Sequence, residues 1–157
     1  MKLAFKKDKI IIYLNKIYIP NLDLNNKEQI YKYTKNILYK LEKNYNLHLS
    51  GYYNINIYLD DNYGIIMEII EENTYIDYFE NTLDINIKTY KDSFLYEVNN
   101  INDINDCITY IHNNHIYVKL KKTFSKNLIT NFIEKIIDIK YGTEKKPILK
   151  SLKVLEW

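Results

Sequence analysis

His112 and His115 are the residues whose spacing most directly suggests chemistry, because they flank the dipeptide Asn113-Asn114. A two-residue turn there would set the histidines opposite each other across two strands, about 5 Å apart at Cβ, as two zinc ligands can be. The nearest candidates for further ligands are Cys107, Asp103 and Asp106. Their spacing matches no zinc finger and no catalytic zinc pattern, so we predict no metal site and interpret both histidines as solvated residues beside a turn.

Cys107 is the only cysteine and is the one candidate nucleophile of its kind. A thiol–imidazole pair would need one of the nearby histidines to lie beside it in space, together with a third group that orients the imidazole. A single cysteine next to a run of isoleucines is more typical of a small buried apolar residue. A lone cysteine also excludes a disulfide within the chain, and hence a disulfide-built secreted scaffold.

Acidic pairs occur at Asp60-Asp61, Glu71-Glu72 and Asp103/Asp106. All three lie at predicted turns or strand ends, where carboxylates bond to the local backbone and keep the surface soluble. General acid–base catalysis would need a carboxyl group in a pocket with a shifted pKa, which spacing alone does not indicate. The few glycines form no phosphate-binding loop. We predict no catalytic residue and no cofactor.

The chain has 17 tyrosines, and several fall on or near predicted strands: Tyr52, Tyr53, Tyr58, Tyr75, Tyr78, Tyr90 and Tyr96. An exposed face of tyrosines could bind another protein, or could stack nucleic-acid bases beside lysines. The alternative is that codon bias has put tyrosine at half-buried positions where other genomes use Phe or Leu.

Hydrophobic periodicity predicts the elements of the first half of the chain. Lys9–Leu14 reads as a strand that Lys16–Ile19 extends until Pro20 interrupts it. Asn25, with Glu28 as its reciprocal partner, predicts the start of an amphipathic helix that ends near Asn44–Asn46. Its apolar stripe is Ile30, Tyr33, Ile37, Leu38, Leu41 and Tyr45. The alternation from Tyr53 onwards, followed by turn residues and a second apolar run that ends near Ile70, predicts a β-hairpin.

The second half continues with strands at Leu83–Thr89 and Ser93–Val98, a polar loop, and a hairpin whose turn is Asn113-Asn114. Thr123 or Ser125 caps a second helix. Its predicted buried stripe is Ile129, Phe132, Ile133, Ile136 and Ile137, with Gly142 as the stop. The tail from Pro147 to Trp157 is expected to dock as a short helix or strand.

These elements predict an α+β fold, mainly an antiparallel sheet of hairpins packed with two amphipathic helices, because no strand–helix–strand alternation repeats. We expect one domain over residues 1–157, with two half-units of about 1–73 and 83–157 as an alternative.

The composition has no arginine, 22 lysines and a net charge of +2, which is typical of a genome of low GC content. Lysines interspersed with acidic residues do not form the concentrated basic face of most nucleic-acid-binding proteins. The first nine residues lack a signal-peptide pattern, and the apolar runs are far shorter than the roughly 20 residues of a membrane span. We therefore expect a cytoplasmic protein that does not insert in the membrane.

Four segments resemble MecA-type adaptor proteins, which deliver substrates to Clp-family unfoldases in low-GC Gram-positive bacteria. They are Lys7–Ile30, Gly51–Ile70, Ile108–Leu120 and Asn127–Glu144. The resemblance lies in the hydrophobic pattern of an opening strand, a hairpin, a last hairpin and a final helix. That family joins its domains by an acidic flexible linker, whereas Tyr75–Val98 here predicts strands. The resemblance implies an adaptor, and it transfers no individual binding residue.

The sequence thus favours a non-catalytic protein-binding adaptor or regulatory protein of a low-GC bacterium, with another protein as its partner. One alternative is an RNA- or ribosome-associated module, which predicts lysines and tyrosines on one sheet face and salt-dependent binding. A second is a small enzyme, which predicts a pocket that joins Asp or Glu with His112, His115 or His48.

Overall fold

The computed structural model describes residues 2–18, 23–47, 49–72, 83–100 and 106–156, and it places the backbone alone at 18, 83–84 and 152–156. Within this part of the chain, two five-stranded sheets are combined with three α-helices, which confirms the predicted α+β class. Pro20, His48, Tyr75, Tyr78 and Asp103 lie outside the described residues.

The chain divides into two compact units that interleave along the sequence. One comprises Met1–Ile57 and Ile65–Tyr90, and the other Tyr58–Gly64 and Lys91–Trp157. The predicted half-units, about 1–73 and 83–157, are each one continuous segment, whereas here the tip of one hairpin belongs to the second unit.

The first unit contains one sheet in the order β1-β2-β4-β3-β5 and one long helix. Its elements are β1 (Lys2–Lys6), β2 (Lys9–Asn15), α1 (Lys27–Tyr45), β3 (Gly51–Asp60), β4 (Gly64–Glu72) and β5 (Leu83–Lys91). The predicted strand, helix and hairpin of this region are all present. β1 was not predicted, because Lys2–Lys6 is short and polar at both ends; it pairs antiparallel with β2.

The core of this unit consists of the apolar face of α1 and the inner strands of the sheet. Its fully buried members include Ile11, Ile12, Leu41, Ile55, Ile57, Ile65, Ile66 and Met67. Consecutive buried residues on β4 show that both faces of this strand are covered. On β3 the buried residues alternate with half-buried ones, as the period-two pattern predicted.

Helix α1 begins one residue later than predicted. Asn26, not Asn25, is the N-cap: its side chain accepts hydrogen bonds from the backbone N–H groups of Glu28 and Gln29. The predicted partner Glu28 is also wrong, since the N–H of Asn25 donates to Asp23 Oδ1 at 2.9 Å, and it is Gln29 that reaches back and accepts from the N–H of Asp23.

The buried stripe of α1 differs from the prediction at its tyrosines. Tyr33 is half-buried and Tyr45 is 46% exposed, while Thr34 is fully buried. Thr34 is tolerated there because its hydroxyl donates to the carbonyl of Ile30 at 2.7 Å.

The strand extension predicted at Lys16–Ile19 is wrong for its described part. Lys16–Tyr18 forms a turn of 3-10 helix. The Asn15 side chain accepts from the Ile17 N–H at 3.1 Å, and this local bond bends the chain out of the sheet.

The second unit contains a sheet in the order β10-β7-β8-β6-β9 and two short helices. Its elements are β6 (Leu95–Val98), β7 (Cys107–His112), β8 (His115–Leu120), α2 (Lys126–Ile133), β9 (Ile136–Lys140), α3 (Lys146–Leu149) and β10 (Leu152–Glu156). The Asn113-Asn114 turn is confirmed, and both residues have positive φ, 49° and 65°. The tail docks as predicted, with a short helix and a strand that pairs with β7.

The predicted second helix is too long. Ser125 caps α2 as expected, but the helix ends at Ile133, and Ile136–Lys140 is a strand paired with β6. Ile136 and Ile137 therefore do not belong to a helical stripe. Ile137 is 48% exposed, and Ile139, which was not predicted to be in the core, is 7% exposed.

Candidate functional site

The two histidines lie opposite each other, since His112 and His115 are direct cross-strand partners at the end of the β7–β8 hairpin. His115 Nδ1 is 2.5 Å from Glu97 Oε1, and His112 Nε2 is 3.3 Å from the side-chain amide of Asn113. Among the described residues no group of three or more His, Cys, Asp or Glu side chains could hold a metal ion. The two histidines are thus paired geometrically, and the described residues around them form no ligand set.

The sheet face that carries the histidines also carries charged and phenolic groups in one cross-strand row. Tyr117 is paired with Glu97, and Glu97 with Asp138. Burial raises the pKa of Tyr117, and the neighbouring Glu97 carboxylate raises it further. At Lys140 burial acts to lower the pKa, but the hydrogen bond to Asp138 outweighs it and the pKa is raised. Because both pKa values are raised, Tyr117 stays neutral and Lys140 stays charged at neutral pH.

Cys107 lies on the other face of that sheet. Side chains alternate along β7 without a bulge, so Cys107 and Thr109 share one face while His112 projects from the opposite one. Cys107 is 2% exposed, and burial raises the pKa of its thiol; the Thr109 hydroxyl and Lys121 only partly oppose this. The geometry does not bring the cysteine and the histidines together.

Asp60 is a buried carboxylate in the second unit, and it organises the tip of the β3–β4 hairpin. It accepts four hydrogen bonds of 2.8 to 2.9 Å. The donors are the backbone N–H groups of Asn62, Tyr63 and Phe94 and the hydroxyl of Tyr96. Burial raises the pKa of Tyr96 well above its ordinary value, and the Asp60 charge adds to this effect. All four donors belong to the fold itself, so these bonds stabilise the hairpin tip.

Asp92 and Lys145 form a second polar contact of the same unit, and both residues are half-buried. The ammonium group of Lys145 contacts Asp92 Oδ1 and donates to the carbonyl of Ser93 at 2.9 Å. Asp92 Oδ2 accepts from the N–H of Gly142 at 2.7 Å. The other acidic candidates are at the surface: Asp61, Glu71 and Glu72 are exposed, and half-buried Asp106 pairs with Lys122.

Of the tyrosines singled out in the sequence, those that the structure describes do not form one exposed face. Tyr53 and Tyr96 are buried, Tyr58 packs on Tyr141, and Tyr52 and Tyr90 are exposed. Burial raises the pKa of Tyr53, and the charge of Glu71 adds to it.

A groove of about 620 Å³ runs along β5 and the first turns of α1; we call it the edge groove. It is lined by Lys27, Ile30, Tyr31 and the six consecutive residues Ile85–Tyr90. Within the described part of the chain, β5 is the last strand of its sheet and pairs only with β3. Since side chains alternate between faces, six consecutive lining residues mean that the groove follows the strand's open edge, where backbone N–H and C=O groups lie.

The walls of the edge groove are apolar and basic. Ile30 is 2% exposed, Ile85 and Ile87 are half-buried, and Tyr31 and Tyr90 are each 42% exposed. Lys27 and Lys88 are the charged lining residues, and Lys35 Nζ lies 4.6 Å from the centre of the Tyr31 ring. Sequence reasoning identified β5 and α1 separately, but it had no signal that they border one groove.

Comparison with known proteins adds no relative: the chain matches no protein family, no curated protein and no solved structure. Within the described residues, no helix has both the length and the apolar character needed to cross a membrane.

Proposed function

We propose that this chain is a non-catalytic protein-binding module that receives an extended segment of another protein along the edge groove. The observation that carries the proposal is the lining of this groove by six consecutive residues of an edge strand. An extended peptide can add to such an edge by backbone hydrogen bonds, while neighbouring pockets select its side chains.

Two further features support this function. The half-buried Ile85 and Ile87 offer apolar contact on one side of the strand, and Tyr31 and Tyr90 offer aromatic surface that is common at binding sites. The hydrophobic pattern shared with MecA-type adaptors agrees with a role in delivering or regulating another protein. From the composition, which has no arginine and a single cysteine, we propose that the protein acts in the cytoplasm of a low-GC bacterium.

The nucleic-acid alternative draws on the same lysines and tyrosines, because exposed aromatic rings beside lysines can stack bases. The peptide is favoured, since a groove that follows a strand edge presents backbone donors and acceptors in the register of another strand. The enzyme alternative has the contact of His115 with Glu97 in its favour.

Selection from a displayed library of random peptides, followed by amide hydrogen exchange of the complex, tests the proposed function. We expect selected peptides to slow exchange in residues 85–90. Peptides that bind but slow exchange only elsewhere would contradict the proposal, as would a library that yields no binder.

A further inference from the structure

We propose that the segment bound in the edge groove is an acidic amphipathic strand, with apolar and acidic residues in alternation. The inference rests on the proposed function and adds the chemical class of the partner.

The alternation follows from the burial pattern of β5. Ile85, Ile87 and Thr89 are half-buried, whereas Asn86, Lys88 and Tyr90 are exposed. A strand added to this edge would place its own side chains in the same two rows, because directly opposed residues of paired strands lie on one face. One row of the partner would therefore lie beside the two isoleucines, and the other beside Lys88.

The apolar row is defined by the isoleucine side of the groove. Ile30 forms its floor, and the half-buried Ile85 and Ile87 keep part of their surface open. Covering this surface with β-branched or other apolar side chains removes it from water, which favours binding in proportion to the area covered.

The acidic row is defined by charge. Lys88 lies in this row, Lys27 adds a second positive charge on the α1 wall, Lys35 lies against Tyr31, and no acidic residue is among the described residues that form the walls. Opposite charges on directly opposed strand residues stabilise the pair, and like charges destabilise it. Glutamate or aspartate beside Lys88 is therefore favoured over lysine, and the basic wall disfavours a second copy of β5, which would bring its own Lys88 into the groove.

The length of the bound segment follows from the strand. Six residues of β5 correspond to about 20 Å of extended chain. A partner motif of about six to eight residues is enough to fill the groove.

The probe is a labelled peptide of alternating valine and glutamate, about eight residues long, with blocked ends. Its binding is measured by fluorescence anisotropy, and its location by amide exchange of residues 85–90. Three matched peptides are the controls. In the first, lysine replaces every glutamate, and in the second, serine replaces every glutamate. The third has the composition of the probe, but all its valines precede its glutamates. We expect the alternating acidic peptide to bind at least about tenfold more tightly than each of the three.

Charge reversal in the protein provides the complementary test. Lys27→Glu combined with Lys88→Glu should weaken the acidic peptide at least about tenfold and should strengthen the lysine peptide. Lys40→Glu combined with Lys43→Glu is the matched control, since both lysines are exposed on α1, outside the groove, and the net charge changes equally. The gain in lysine-peptide binding shows that the groove variant is folded.

The remaining outcomes separate this inference from the proposed function. If the serine or lysine peptide binds as well as the acidic one and protects residues 85–90, the inference of an acidic partner is wrong, but the proposed function of the edge groove is still supported. If no alternating peptide of any charge protects these residues, both the proposed function and the inference of an acidic partner are wrong. The inference of an acidic partner would also be overturned if a single-stranded oligouridylate bound more tightly than the acidic peptide. A dimer seen in light scattering, with residues 85–90 protected from exchange, would overturn it as well.

Discussion

Asp60, predicted to bond to the local backbone at a turn, also accepts hydrogen bonds from residues more than 30 positions away in the chain. Its two oxygens are both occupied by donors from the hairpin tip and from the segment that leads into β6. Oδ1 accepts from Asn62, Tyr63 and Tyr96 and Oδ2 accepts from Phe94, so the carboxylate joins the hairpin tip to β6 and to the residue before it. The same residue type at Asp61 is exposed.

Asp60→Asn should lower the free energy of unfolding by about 2–4 kcal/mol. The asparagine oxygen can replace Oδ1. Its NH₂ group would then take the place of Oδ2 and face the N–H of Phe94, so neither of these two donors would have an acceptor. Urea unfolding followed by circular dichroism measures the change. Asp61→Asn is the control, with an expected change below about 1 kcal/mol; equal effects of both substitutions would contradict the structural role.

Cys107 should react slowly with a thiol reagent in the folded protein. Burial raises the pKa of its thiol, so the reactive thiolate is scarce at neutral pH and the reagent also lacks access. We expect the reaction at neutral pH to be at least about a hundredfold faster in denaturant than in buffer.

The raised pKa of Cys107 also determines how this thiol makes the free energy of unfolding depend on pH. Because its pKa is higher in the folded state, the protonated thiol favours folding below the ordinary thiol pKa of about 8.5, and this contribution is lost as the pH rises through the folded-state pKa. Fast reaction of the native protein at neutral pH would contradict the buried placement.

At the scale of elements, the sequence predicted most of what local pattern can determine. Helix α1, the two hairpins and the Asn113-Asn114 turn were predicted because their hydrophobic period and turn residues agree with each other. The α2–β9 region was mispredicted because four isoleucines between Ile133 and Ile139 suit a helical stripe and a strand equally well. Pairing with β6 makes Ile136–Lys140 a strand, and that pairing joins residues about 40 positions apart.

Ile139→Ala should lower the free energy of unfolding by about 2–4 kcal/mol, whereas Ile137→Ala should lower it by less than about 1 kcal/mol. Ile139 is buried opposite Tyr96, and Ile137 is about half exposed. Thermal or urea unfolding of both variants distinguishes the strand from the predicted helix. A larger loss at Ile137 than at Ile139 would support the helix.

At the scale of the whole molecule, the units are built from separated pieces of chain. The second unit includes the hairpin tip Tyr58–Gly64, which supplies buried acceptors to residues far along the sequence. The N–H of Asp92 donates to the carbonyl of Leu59 at 2.9 Å, and Asn62 bonds to the backbone of Lys122 and Phe124. No period or motif in the sequence indicates that residues 58–64 belong with residues 91–157.

A fragment of residues 91–157 should therefore fail to fold alone. It lacks the Asp60 acceptors of Phe94 and Tyr96, and it loses the acceptor of the Asp92 N–H. Each orphaned buried group costs about 1–3 kcal/mol, which is a large part of the stability of a small unit. Proton–nitrogen correlation spectra of the fragment, compared with those of the full chain, show whether the fragment folds. Well-dispersed resonances from the fragment would show that the hairpin tip is dispensable.

The sequence by itself determined the α+β class and the positions of the elements with an unambiguous period, because these depend on interactions between residues close in the chain. Tertiary structure alone decided that Asp60 is enclosed by donors, that Ile136–Lys140 is a strand, and that α1 and β5 border one groove. Each of these depends on residues distant in the chain meeting in space, and hydrophobic pattern specifies which face a residue occupies but not which other segment lies against it.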